Sequence, residues 1–171
     1  MAKNAGGVRN ISVGSTAYNN RLAEVAEMRA SGKYSSVEMA ENGTGWVAIE
    51  NSPAKHKPEE IEAARHLADK GYKVTLGDET GSVTVPDGRI FSATFEQKTP
   101  EAKGLKGVNK ALEHAKKKRA DIAVIYDKHR LYDRQTVEDG IKHYETHNRF
   151  RFQKIIVVGS SGNVHVHTHN D

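Results

Sequence analysis

The sequence predicts an α/β domain in which a mixed central sheet is flanked by helices. Three observations carry that expectation. From Pro58 onward the hydrophobic spacing switches between helical and extended periods, in the order helix, three strands, helix, strand, helix, two strands. The runs Ile122-Ala123-Val124-Ile125 and Ile155 to Val158 are apolar without alternation, as strands buried on both faces are. The 171 residues are also enough to bury roughly 70% of the unfolded surface, so no covalent staple is needed.

Taken in order, residues 1–14 are rich in Gly, Asn and Ser and read as a loose arm. Ser15 can cap a helix from Thr16 to Arg29, whose apolar stripe is Tyr18, Leu22, Val25 and Ala26. Ser31-Gly32 ends it, Glu41 to Gly45 reads as a turn, and Trp46 to Ile49 as a short strand. Residues 1–44 are therefore expected to form an N-terminal arm and helical appendage, and 45–171 the domain proper. Pro58 suits the first position of the next helix and Glu59 and Glu60 its first turn. Ile61, Ala64, Leu67 and Ala68 make its apolar stripe, and Gly71 stops it. Strands are expected at Tyr72 to Leu76, Ser82 to Val85 and Ile90 to Lys98, with a turn at Gly77 to Gly81 and another at Pro86-Asp87-Gly88. A helix from Val108 to Arg119, a strand from Asp121 to Tyr126, and a helix capped by Asp133 with Val137, Ile141 and Tyr144 inward complete the core with the strands Ile155 to Val158 and Val164 to Val166.

Composition narrows the chemistry. With no cysteine there is no disulfide framework and no thiolate metal site. Any metal must be held by oxygen or imidazole, and carboxylates favour Mg²⁺ or Mn²⁺, with Zn²⁺ an alternative. No apolar run approaches the ~20 residues of a membrane span, so no membrane partner is expected. The polar, small start from Met1 to Gly7 lacks the character of a signal peptide, and a cytoplasmic site of action is expected. A net charge of +4 is compatible with a nucleic-acid partner without requiring one.

The segment that carries chemistry is Pro86-Asp87, eight residues, then Glu96-Gln97-Lys98. Alternate strand residues share a face, so Glu96 and Lys98 lie together with Ser92 and Thr94, while Ala93, Phe95 and Gln97 point the other way. A hairpin of this length can set Asp87 beside Glu96. Two adjacent carboxylates resist ionising together, and a divalent cation removes that penalty. A cation so held polarises a phosphodiester and acidifies water, and a neighbouring lysine can orient the water or neutralise the transition state. The plainer reading leaves Asp87-Gly88 as turn residues and Glu96 to Lys98 as a solvated strand face.

Pro86-Asp87 followed by Glu96-Gln97-Lys98 resembles the PD-(D/E)xK signature of restriction-endonuclease-like nucleases, and the flanking elements resemble that fold from about Gly45 to Val166. More narrowly, the string from Glu60 to Val74, with Asn109 and Ala120 to Val124 behind it, resembles the C-terminal tRNA nuclease toxin domains of contact-dependent growth inhibition (CdiA) proteins. The resemblance implies a restriction-endonuclease-like mixed sheet and a metal-dependent nuclease. Asp87 and Glu96 would be ligands, Glu60 a third acid completing the metal site, and Lys98 the water or transition-state partner. Glu59 and Glu62 stay open as alternatives to Glu60. The resemblance also implies tRNA as favoured substrate, DNA next, and a cognate immunity protein as partner.

Basic residues form a second feature. Lys106, Lys110 and Lys117 fall within about 40° on one side of their helix, opposite Val108, Ala111, Leu112 and Ala115. With Lys103 they are expected to track phosphates, or else to be a solvated face; Lys116 to Arg119 also suit the helix terminus. Thr99 and Asn109 are candidates for positioning substrate. Arg149 and Arg151, interleaved with Phe150 and Phe152, either stack on bases or lead into the last core strands. His165, His167 and His169 alternate, as a Zn²⁺ or Ni²⁺ chelate or as a polar edge face. His56, between Lys55 and Lys57, keeps open a metal-independent His/Lys ribonuclease. Two further alternatives are a non-catalytic adaptor of the same fold and a nucleic-acid-binding module without chemistry.

Overall fold

The structure, a computed structural model, describes residues 8–51, 56–77 and 85–168. One sheet of eight strands runs in sequence order: β1 (Tyr34–Met39), β2 (Trp46–Glu50), β3 (Lys73–Leu76), β4 (Gly88–Ile90), β5 (Ala93–Lys98), β6 (Ile122–Asp127), β7 (Lys154–Gly159) and β8 (Val164–Thr168). The pairs β2–β3, β5–β6 and β6–β7 are parallel, each bridged by a connection that contains a helix, and the remaining neighbours are antiparallel. The helices are α1 (Thr16–Ala30), α2 (Pro58–Asp69), α3 (Leu105–Lys117) and α4 (Arg134–His147).

Strand parity sorts the core into layers. Ala63, Ala64, Leu67 and Ala68 of α2 pack with Val74, Phe95, Ile122, Val124 and Ile156 on one face. Val108, Leu112, Val137 and Tyr144 of α3 and α4 pack with Ala123, Ile125, Ile155 and Val157 on the other. The mixed sheet flanked by helices is thus as the sequence implies.

Local signals account for most boundaries. The Ser15 hydroxyl accepts the Tyr18 N–H at 3.1 Å, and the Asp133 carboxylate accepts the Thr136 N–H at 2.7 Å, satisfying first-turn donors of α1 and α4. Pro58 opens α2, where its missing N–H costs nothing.

Four expectations are corrected. Residues 34–39, read as no element, form β1, which pairs with β2 and shares with it and α1 a small core of Val25, Val37, Trp46 and Ala48. In α1 only Val25 of the expected stripe is buried; Leu22 is 42% exposed, because the helix meets the sheet margin along a narrow line reinforced by the Lys73–Glu24 ion pair at 2.8 Å. The long strand Ile90 to Lys98 is instead two strands, turned at Phe91-Ser92, with Phe91 at φ 53. The turn at Pro86-Asp87-Gly88 is replaced by an entry into β4, where a Cβ on Gly88 would meet the Thr75 carbonyl at 1.9 Å, so only glycine fits. The expected strand Ser82 to Val85 falls, except for Val85, outside the described residues, as do the turn from Asp78 to Gly81, Lys55 and His169. Among the described residues no helix is long and apolar enough to cross a membrane.

Candidate active site

The β4–β5 hairpin aligns the acids. Its register pairs Gly88 with Phe95, Arg89 with Thr94 and Ile90 with Ala93, so one further step sets Asp87 opposite Glu96. The Asp87 N–H donates to the Glu96 carboxylate at 3.1 Å, and the Asp87 carboxylate accepts the Gln97 N–H at 2.7 Å. Both side chains are buried, Asp87 at 5% and Glu96 at 2% exposure. The Lys98 amine lies 3.7 Å from the second Glu96 oxygen and is partly open to solvent.

Burial, and next the Asp87 charge, push the Glu96 carboxyl up to about 7, against the opposing pull of Lys118 and Lys98. Lys118, at the end of α3, reaches over to donate to the Val85 carbonyl at 3.2 Å. Glu60, at the first turn of α2, is also raised, by burial first and Asp87 second, and its neighbour His56 works in the opposite direction. The His56 Nδ1 lies 3.1 Å from the Glu60 carboxylate, its imidazole is 2% exposed, and its Nε2 is buried without a hydrogen-bond partner. Of the alternatives to Glu60, Glu62 is engaged elsewhere: the Tyr126 hydroxyl donates to it at 2.5 Å and Lys128 at 3.3 Å, holding its carboxyl below the usual range. Glu59 lines a groove of about 230 Å³ together with Lys57, Glu60, Gln97, Lys98 and His129.

The chemistry of the donors fits a hard divalent cation. Two buried carboxylates face one another and repel one another, and among the described residues the Lys98 amine, 3.7 Å from Glu96, is the nearest basic group in an ion pair with them. Glu60 lies within electrostatic reach of Asp87, yet among the described residues no three His, Asp or Glu side chains converge on one point. Asp87 and Glu96 are therefore the pair on which a cation would rest.

The lysines divide. Lys110 lines a second groove, about 330 Å³, with Lys98, Thr99, Glu101, Ala102 and His114. Lys103, Lys106 and Lys117 are exposed beside it. Asn109 is not brought to this groove: two positions after Gly107 and five before His114, it faces the opposite flank of α3, with its Oδ1 buried and unpartnered. The Thr99 hydroxyl accepts from the Gln97 side-chain amide at 2.8 Å. Arg151 donates to the Glu145 carbonyl at 2.8 Å and pairs with its carboxylate at 3.2 Å, while Phe150 and Phe152 pack into the α3–α4 core. Phe152 is thereby withdrawn from solvent and Phe150 partly so, and Arg151 serves to clamp the end of α4. The sequence reading missed His114, Lys118 and His129. The signal for His129 lay in its place just past the end of a parallel strand, where open α/β sheets put their ligands.

No protein-family model matches the chain, and no curated protein matches its sequence. Its fold is similar to that of a chain in the CdiA-CT/CdiI toxin and immunity complex from Burkholderia pseudomallei, at 20% identity and a TM-score of 0.56, over 71% of this chain and 98% of that one. The likeness establishes a shared mixed α/β architecture.

Proposed function

We propose that the chain is a metal-dependent nuclease of the toxin type, a phosphodiesterase with the restriction-endonuclease-like active-site plan. The observation that carries the reading is the buried, reciprocally bonded Asp87–Glu96 pair with the Lys98 amine beside it. A divalent cation on that pair would polarise the scissile phosphate and acidify the attacking water. Lys98 donates to a non-bridging phosphate oxygen, where charge builds in the transition state. Glu60, whose carboxyl is raised by burial and by the Asp87 charge and which lines the same groove as Lys98, would accept the proton of the attacking water. The leaving oxygen departs protonated from solvent at the open groove. tRNA is the favoured substrate and DNA the next. The fold likeness to a chain of a toxin–immunity complex supports a toxin held in check by an immunity protein; its site of action would be the cytoplasm of a target cell.

The test is incubation with total tRNA and with plasmid DNA, each in Mg²⁺, Mn²⁺, Zn²⁺ or EDTA, using wild type and Asp87→Ala. Cleavage that needs metal and Asp87 is expected. A second reading, a metal-independent ribonuclease, is favoured by the His56–Glu60 pair and its unpartnered Nε2. It would show as EDTA-resistant cleavage lost in His56→Ala and kept in Asp87→Ala.

A further inference from the structure

The parallel strands β5, β6 and β7 end on one rim of the sheet, at Lys98, Asp127 and Gly159. The two grooves described above lie on that rim and share Lys98, Thr99 and Glu101. A third cavity, about 330 Å³, continues the line between α4 and the β7–β8 edge. Its wall residue Tyr132 donates its hydroxyl to the Ala102 carbonyl at 2.5 Å, and Ala102 lines the second groove. The cavity volume is within the roughly 300 to 1,000 Å³ of small-ligand sites. Neighbouring strands are about 4.8 Å apart, so the end of β7 lies on the order of 10 Å from Lys98. At ~3.4 Å per stacked nucleotide that is about three nucleotides.

The donor inventory of this cavity is one-sided. The Asp127 carboxylate is spent on the N–H groups of Leu131 and Tyr132, at 2.8 and 3.1 Å. That of Asp133 is spent on the Thr136 N–H and hydroxyl, both at 2.7 Å. Facing the space are Arg134, whose side chain is 89% exposed and whose Nε pairs with the Glu138 carboxylate at 3.1 Å, leaving its terminal nitrogens toward solvent, and the imidazoles of His165 and His167, over a floor of Val137 and Val157. Burial lowers the His167 pKa, which favours the neutral ring that can both donate and accept. An apolar floor, two imidazoles that can hydrogen-bond and an exposed arginine side chain match a base joined to a phosphate. Among the described residues no third His, Asp or Glu joins the two imidazoles, and His169, the third member of the expected chelate, lies outside them.

The geometry points to the cavity of Tyr132, Val137, Val157, His165, His167 and Arg134 as a nucleotide subsite, which seats one base of the substrate strand about three nucleotides from the scissile bond. The inference rests on the nuclease reading and adds a specificity determinant to it.

The experiment has two arms. In the first, the imidazole resonances of His165 and His167 in the full Asp87→Ala chain are followed by NMR during titration with each 5′-mononucleotide, with short RNA and DNA oligonucleotides, and with inorganic phosphate. Saturable shifts with nucleotides, beyond those with phosphate, are expected. In the second, the double variant His165→Ala/His167→Ala is compared with wild type for cleavage. KM is expected to rise roughly tenfold, the loss of one or two base hydrogen bonds, with kcat nearly kept and the preferred sequence relaxed. Imidazoles silent to every nucleotide, or moved equally by phosphate alone, overturn the subsite, as does an unchanged KM and cleavage pattern. Wild type that cuts no nucleic acid while its imidazoles answer nucleotides would remove the nuclease reading and leave the subsite standing.

Discussion

Asp87 and Glu96 are each held by a backbone N–H from the other's strand, at 2.7 and 3.1 Å, with the Lys98 amine 3.7 Å from the Glu96 carboxylate. Without metal, burial and the Asp87 charge favour a protonated Glu96. Burial, and next the Asp87 charge, push Glu96 up to about 7 in the folded chain, against 4.5 for a free glutamate. The folded state therefore binds more protons than the unfolded one between those values, so stability falls as pH rises through the window. In EDTA the melting temperature should be lower at pH 8 than at pH 5. Glu96→Gln should flatten that dependence. At pH 8 it should be more stable than wild type by roughly 1 to 3 kcal/mol, at ~2–4 °C per kcal/mol for a chain of this size. Calorimetry at the two pH values decides it; a wild type that gains stability with pH would contradict a raised Glu96.

The same repulsion makes the metal a stabiliser. Mn²⁺ at about a hundred times its dissociation constant should add about 2.7 kcal/mol to wild type. Asp87→Asn should lose that increment and at least about a hundredfold of the cleavage rate, while keeping its circular dichroism spectrum. A metal-induced rise in melting temperature of equal size in both proteins would place the cation elsewhere.

Much of this was legible in the residues, and the failures have physical causes. Capping at Ser15 and Asp133, Pro58 at a helix start and the unbroken apolar runs of β6 and β7 are local signals. The adjacency of Asp87 and Glu96 was also inferred, yet through a hairpin turned at the wrong place. Phe91-Ser92 carries no Gly or Asn, so the turn left no mark. β1 was invisible because Tyr34 to Met39 buries only Val37. Lys118 and His129 reach the site through tertiary packing, which no spacing along the chain encodes.

The hidden turn yields a prediction of its own. Phe91 sits at φ 53 with its ring 47% exposed, 6.2 Å from that of Tyr72. A left-handed conformation costs an aromatic residue roughly 1 kcal/mol, and asparagine less. Phe91→Asn should raise the urea midpoint by up to about 1 kcal/mol of stability, and Phe91→Val, with its β-branch, should lower it by a similar amount. The reverse order would mean that the ring contact with Tyr72 outweighs the backbone strain.

The lysines of α3 separate by position. Lys110 lines the groove that also holds Lys98, whereas Lys106 is exposed beside it. If phosphates run along the groove, Lys110 contacts one and releases a counterion when substrate binds. Measured on the Asp87→Asn background in a nonhydrolysing buffer, Lys110→Gln should flatten the log–log salt dependence of binding by roughly 0.7 to 0.9, and the Lys106→Gln/Lys110→Gln pair by more than about 1. Both positions face solvent, so each change should move stability by no more than about 0.5 kcal/mol. Metal binding, read as the Mn²⁺-induced shift in wild-type background, should be unaffected. Lys103→Gln provides the comparison, since its side chain is exposed on the loop before α3. A slope altered by Lys103 and Lys106 but not by Lys110 would move the strand off the groove and onto the outer face of the helix. A slope altered by none of them would put the substrate on the α2 side, past Lys57 and His129.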